Sequence, residues 1–163
     1  MADWEAYGAE WDKVKENQEG AYDNTRGEHV VNFSHCTLRN AGFQDLNMGG
    51  AILDGACLQG AEFRSANLSR ASLRHAKLGG TDDCAGEGKA QFYKSTLIDA
   101  DFAEVDVGGA NFDCTNLSGA KFEKAINVDT ASFKKACTDG RTTFPASFTN
   151  AFPSCTPKQP SCD

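Results

Sequence analysis

From Val31 onward, large apolar residues recur at every fifth position. The chain reads VNFSH, CTLRN, AGFQD, LNMGG, AILDG, ACLQG, AEFRS, ANLSR, ASLRH, AKLGG. The third place of these units holds Phe33, Leu38, Phe43, Met48, Leu53, Leu58, Phe63, Leu68, Leu73 and Leu78. The first place is mostly Ala, and places two, four and five are mainly polar or Gly. A helix spaces apolar residues about 3.6 apart and a half-buried strand 2 apart, so this period fits neither. It requires short extended segments joined by turns, each turn resetting which side faces inward.

After a break the pattern resumes as AQFYK, STLID, ADFAE, VDVGG, ANFDC, TNLSG, AKFEK. One extra residue at Ala125 then shifts the frame to INVDT, ASFKK, ACTDG, RTTFP, ASFTN. This A(D/N)Lxx signature, running over 31–150, closely resembles the pentapeptide-repeat family. The resemblance implies an all-β solenoid: a right-handed quadrilateral β-helix in which the central Leu or Phe and the Ala two places before it both point inward. Four units make one circuit, giving about six coils and a rod of roughly 25–30 Å at about 4.8 Å per rung.

Written four units to a row, the central residues form columns in which like stacks on like. The first column is Phe33, Leu53, Leu73, Phe92, Phe112, Phe133; the second is Leu38, Leu58, Leu78, Leu97, Leu117, Thr138. The third is Phe43, Phe63, Phe102, Phe122, Thr143; the fourth is Met48, Leu68, Val107, Val128, Phe148. In this register LNMGG lies above VDVGG, and Thr81–Lys89 (TDDCAGEGK) replaces two units with one residue fewer, as an irregular corner of the third rung. Leu46, Val105 and Ile126 at first places of the fourth column read as compensation for its slimmer Met and Val centres.

The ends divide off from the repeats. Residues 1–30 read as an N-terminal capping α-helix and linker, because Trp4, Tyr7, Trp11 and Val14 share one helical face over 3–18, with Asp3 as N-cap. That face would lie over the first rung. Residues 151–163 form a Pro-bearing C-terminal tail.

Charge narrows the function classes. The net charge is −7. Eight acids against three bases in residues 1–30 supply −5, leaving −2 for 31–163. Direct nucleic-acid binding, which needs Lys and Arg for phosphates, is not expected. No stretch approaches the roughly 20 apolar residues of a membrane span. The acidic start is not a signal peptide, although a targeting segment removed earlier would leave the same chain. The compartment stays open between cytoplasm and periplasm or thylakoid lumen.

Candidate chemistry is sparse. The seven Cys are scattered without a CxxC, which argues against zinc. Cys155 and Cys162 bracket CTPKQPSC and are a candidate disulfide, with free thiols in a reducing cytoplasm as the other reading. His35 and His75 fall about 10 Å apart on one outer face, too far to share a metal unaided. Asp82, Asp83 and Glu87, beside Gly86 and Gly88, lack the spacing of a calcium loop. They form a candidate partner-contact loop. No catalytic residue, metal or cofactor is expected, because a filled rod has no cleft in which to shift a pKa.

The expected function is therefore a non-enzymatic, monomeric, rigid module for a protein partner or for structural support. The resemblance adds an alternative, since some family members mimic duplex DNA, bind DNA gyrase and protect it from quinolones. This chain departs from them in its short rod and in lacking their C-terminal dimerisation helix. Arg64, Arg70, Arg74, Lys134 and Lys135 also break any continuous acidic face.

Overall fold

Backbone hydrogen bonding within one unit explains the shape. The computed structural model describes residues 22–23, 28–29, 31–79, 84, 88–155 and 162. In it the central residues from Phe33 to Phe122 donate their N–H one rung down. Phe33 N–H meets Ile52 O at 2.7 Å, and Ile52 N–H returns to Val31 O at 2.9 Å. Consecutive units are joined by a turn closed from the next first place, as in Cys36 N–H to Phe33 O at 3.1 Å. The fifth residue takes a left-handed φ, from 56° at Asp99 to 74° at Gly50, which is why Gly, Asn and Asp recur there.

The fourth residue's N–H has no ladder partner, and this accounts for Asp or Asn at place two. The Asn67 carboxamide oxygen accepts from Ser69 N–H at 3.0 Å, and the Asp106, Asn111 and Asn116 side chains serve Gly108, Asp113 and Ser118 alike. Where place two is Ser, an Asp one rung up substitutes. Asp54 accepts from Arg74 N–H at 3.0 Å, and Asp113 from Lys134 N–H at 2.8 Å. The signature is thus a rule for satisfying donors, as well as a size rule for the shaft.

Parallel bridges define four sides. Side one runs Asn32, Ile52, Ser72, Asp101, Lys121, Thr143; side two runs Thr37, Cys57, Lys77, Asp106, Ile126. Side three runs Gly42, Glu62, Gln91, Asn111, Ser132; side four runs Asn47, Asn67, Thr96, Asn116, Cys137. The residue after each points inward, except after Ile126, where the exposed Asn127 intervenes before the buried Val128. Side three therefore carries Phe43, Phe63, Phe92, Phe112 and Phe133, with successive rings stacked 4.8–5.0 Å apart. Side one carries Phe102, Phe122 and Phe144, and these meet the side-three rings edge to face. Most of the shaft is fully buried.

This register corrects the sequence-based columns beyond the break. Phe92 stacks under Phe63 and not under Leu73, and Phe102 and Phe122 sit below Leu73, on a different side from Phe43 and Phe63. The segment before Ala90 fills no corner. Glu62 pairs with Gln91, 29 residues on, where Gly42 to Glu62 is 20, so the excess is nine residues. Ala90 N–H closes on Leu78 O at 2.8 Å, the bond that elsewhere joins adjacent units. The insertion leaves and returns at one corner.

AKLGG consequently lies above VDVGG, in place of LNMGG. Gly79 rests against the Gly108 carbonyl so closely that a β-carbon would collide with backbone. The volume compensation reading also fails. Leu46 is exposed, Val105 lies on side two, and Ile126 points outward within a six-residue unit whose extra residue, Asn127, takes φ 58° before a 3-10 turn at Val128–Thr130.

Deleting Thr81–Lys89 in a Cys57→Ser background joins Gly80 to Ala90 and restores an unbroken period. We expect a cooperatively folding rod with an unchanged β-type CD spectrum, within about 2 kcal/mol of Cys57→Ser alone, since closing a short loop costs little. Loss of cooperative urea unfolding would show that the segment is part of the shaft.

At the C-terminal end a second added residue moves Phe144, in place of Thr143, into the inward slot. The chain then turns at Pro145 and crosses the shaft, laying Phe148 and Phe152 against Phe133 and Phe144. It rejoins side four, where Thr138 N–H meets Pro153 O at 3.0 Å and Cys155 N–H meets Thr138 O at 2.9 Å. The tail is therefore ordered through Cys155 and plugs the core with aromatic rings. Before the rod, β1 (Tyr22–Asp23) pairs antiparallel with β2 (Glu28–His29). The helix expected over 3–18 lies outside the described residues.

Candidate functional site

The outward places of the rod hold its candidate chemistry, and three disulfides decide which faces stay open. Cys57 projects from side two and bonds Cys84 of the inserted segment, with Cα atoms 5.6 Å apart. The returning end packs Gly88 against Gly60. Side two is covered there: Gln59 is 1% exposed and its side-chain oxygen has no hydrogen-bond partner among the described residues. Asp82, Asp83 and Glu87 lie outside the described residues; their neighbour Cys84 is tied to side two.

The expected Cys155–Cys162 bond is not formed. Cys155 pairs with Cys137 and Cys162 with Cys114, at Cα separations of 4.8 and 6.0 Å. Ladder bonds to Thr138 fix Cys155 beside the outward Cys137, and Tyr93 Oη–H donates to Cys162 O at 2.9 Å, holding the tail on side three. Cys57 and Cys137 belong to opposite sides, two and four, and not to a common column. Cys36, which stands outside the three disulfides, is half-buried and packs against the core.

The open faces carry charged side chains that pair within and across rungs. On side one Arg74 meets Asp101 at 3.3 Å, while Glu104 lies 3.6 Å from His75 and 3.3 Å from Lys124. On side three Arg64 meets Glu62 at 3.4 Å. Each such exposed pair is worth little to stability. Together they leave neither face uniformly acidic.

A three-residue ion cluster stands at the corner of sides four and one. Arg141 bridges Asp99 at 2.7 Å and Asp139 at 2.8 Å. Burial pushes the Asp139 carboxyl up, but hydrogen bonds from the Arg141 side chain and from the Arg141 and Gly119 N–H groups outweigh it. They hold the pKa at about 2, below the ordinary 3.8. A carboxylate depressed on folding stabilises above its unfolded pKa and loses that contribution as pH falls through its folded value. Stability should therefore fall between about pH 4 and 2, and Asp139→Asn should flatten that fall by on the order of 1 kcal/mol after screening. Thermal melts across this window check it; an unchanged slope counts against the cluster. Nothing in the repeat pattern marks Arg141, whose partners come from units far apart in sequence.

Among the described residues no helix is long and apolar enough to cross a membrane. A family model for pentapeptide repeats matches eight copies over residues 53–82 and 90–126, interrupted where the rod loops out. The chain is a pentapeptide-repeat protein. The right-handed quadrilateral β-helix is the fold of that family. HetL, a pentapeptide-repeat protein involved in heterocyst differentiation regulation in the cyanobacterium Nostoc sp. strain PCC 7120, is 30% identical with a TM-score of 0.52. The match covers 66% of this chain and 49% of HetL, so this pentapeptide-repeat chain spans about half of that relative. Rfr23 from the cyanobacterium Cyanothece 51142 is 21% identical, covering 75% and 69% of the two chains with a TM-score of 0.36. QnrB1, a plasmid-mediated fluoroquinolone resistance protein, is 20% identical, covering 77% and 65% with a TM-score of 0.42. No curated protein sequence matches significantly.

Proposed function

We propose that the protein is a monomeric, non-enzymatic interaction module that works in an oxidising compartment, such as periplasm or thylakoid lumen, and offers its open faces to a protein partner. One observation carries this reading: Phe, Leu and Ala fill the shaft, and the varied residues stand on outward places of a scaffold that backbone ladders make rigid. Specificity then resides in surface pattern. The compartment follows from three disulfides, which a reducing cytoplasm would not maintain.

Capture of partners from the native host by the wild-type protein and by single-face variants tests the reading. A partner lost on Arg74→Glu with Lys124→Glu, but kept when another face is changed, supports it if the variants melt like the parent. Equal capture by every face variant argues against it. Intact mass without reductant should fall short of the reduced mass by the six hydrogens of three disulfides.

The gyrase-protecting alternative is the weaker one, because bases interrupt the acids of sides one and three: Glu62 pairs with Arg64, Asp101 with Arg74 and Glu104 with Lys124. Gyrase supercoiling is expected to proceed unaffected at micromolar protein; inhibition, or quinolone protection, would reinstate the alternative.

A further inference from the structure

The sixth rung is missing on side three. After Pro145 the chain crosses the shaft to side four, so the strand around Ser132 is an edge. On every rung above, one residue of the next strand both donates to the first place and accepts from the third. Ser132 does this for Ala110 O at 3.0 Å and Phe112 N–H at 2.7 Å, and Asn111 does it for Ala90 and Phe92. Ala131 O and Phe133 N–H, the equivalent groups below, have no partner among the described residues. Between this edge and the crossing segment Asn150–Pro153 lies a groove of about 400 Å³. It is floored by Phe133 and Phe152 and rimmed by Lys134 and Lys135. Among the described residues no carboxylate lines it, although the chain holds 23 acids. Asp113, one rung up, is engaged with the Ser132 hydroxyl and Lys134 N–H.

We propose that this groove binds an extended acidic segment of a partner protein, which adds as the missing strand. The proposal deepens the interaction-module reading and rests on it. An unpaired edge is a ready template for a strand, and the main-chain bonds give affinity while side-chain places give specificity. The register dictates the ligand. The residue that pairs with Ala131 and Phe133 continues the outward ladder below Ser132, so a carboxylate there serves the following N–H two places on. As Arg74 reaches Asp101 one rung down, Lys134 reaches this same carboxylate. The residue before it must be small, and the residue after it is apolar and enters the groove against Phe152. The recognised pattern is small, acidic, large apolar, with no base.

The probe is a labelled peptide of sequence IDADFAEV, which has this pattern, with IKAKFAKV as control. Hydrogen exchange and fluorescence anisotropy on the full oxidised protein read the outcome. The expected result is saturable binding of IDADFAEV and slowing of the Phe133 amide by tenfold or more at saturation. Lys134→Glu, at an exposed side chain, should weaken binding at least tenfold without changing the melt. No Phe133 protection at millimolar peptide, or equal binding of the Lys peptide, overturns the proposal. So does concentration-dependent self-association that protects Phe133 without peptide, since the occupant is then a second copy. A peptide bound elsewhere sinks the groove but leaves the interaction-module reading standing; loss of face-dependent partner capture sinks that reading instead.

Discussion

Phe112→Ala should destabilise the rod by about 3–5 kcal/mol, toward the upper end of that range. Phe112 is fully buried and stacks on Phe92 at 4.9 Å and Phe133 at 5.0 Å, with Phe102 and Phe122 edge-on at 5.5 and 5.6 Å. Truncation removes four ring contacts at once, each worth about 0.5–1.5 kcal/mol beyond burial. The void cannot close, because Phe92 N–H to Asn111 O and Phe112 N–H to Ser132 O, both at 2.7 Å, fix the rung spacing on either side. Phe133→Ala makes the internal comparison. Phe133 is 9% exposed and faces the plug of Phe148 and Phe152, which is held at fewer points and is able to settle inward. Its cost should be smaller by at least about 1 kcal/mol. Urea midpoints at constant m-value measure both. If Phe133→Ala costs as much as Phe112→Ala, the shaft is not held rigid by its ladders.

The period of five was legible because each of its causes is local. The shaft admits one small and one large apolar side chain per unit, the turn wants a left-handed fifth residue, and the fourth N–H wants an Asp or Asn two places back. All three are written within a single unit. The register across the insertion was not legible for a related reason. Phe92, Phe112 and Phe133 stack equally well beneath Phe63 or in line with Phe33, and Leu97 and Leu117 suit either Leu column. Side-chain similarity cannot choose between two sides of a near-symmetrical shaft. The choice is made by Ala90 N–H reaching Leu78 O, a contact across a nine-residue excursion. One clue was present: AKLGG and VDVGG both end in Gly pairs, and Gly79 lies directly on the Gly108 carbonyl.

The cysteines were misjudged for the same cause. Nearness in sequence favoured Cys155 with Cys162, but pairing depends on which corner each residue occupies, and that follows from the register. With sides assigned from bridges, Cys137 beside the returning strand and Cys114 at the end of side three become the available partners. The groove beneath Ser132 was likewise hidden. ASFTN looks like one more unit, yet Pro145 and the stacked Phe148 and Phe152 take the chain over the end of the shaft, leaving side three without its last strand.

Removing disulfides should give the other large loss, and the order of the losses is informative. On chain entropy alone, loops of 18 and 27 residues are each worth about 3 kcal/mol, with the longer slightly ahead. The structure reverses that order. Cys57–Cys84 pins an excursion that contributes nothing to the shaft, whereas Cys137–Cys155 clamps the strand that follows Phe148 and Phe152. Freeing it also loosens the plug over Phe133 and Phe144 and admits water to the core. Cys137→Ala with Cys155→Ala is therefore expected to lower Tm by about 10 °C, more than Cys57→Ala with Cys84→Ala, at the few degrees per kcal/mol of a chain this size. Cys114–Cys162, which encloses the 137–155 loop, should couple to it, so reducing all three costs less than the separate losses added. Calorimetry of the paired variants with and without reductant tells these apart. A larger loss at Cys57–Cys84 would mean that the looped-out segment, and not the aromatic plug, is what holds the rod closed.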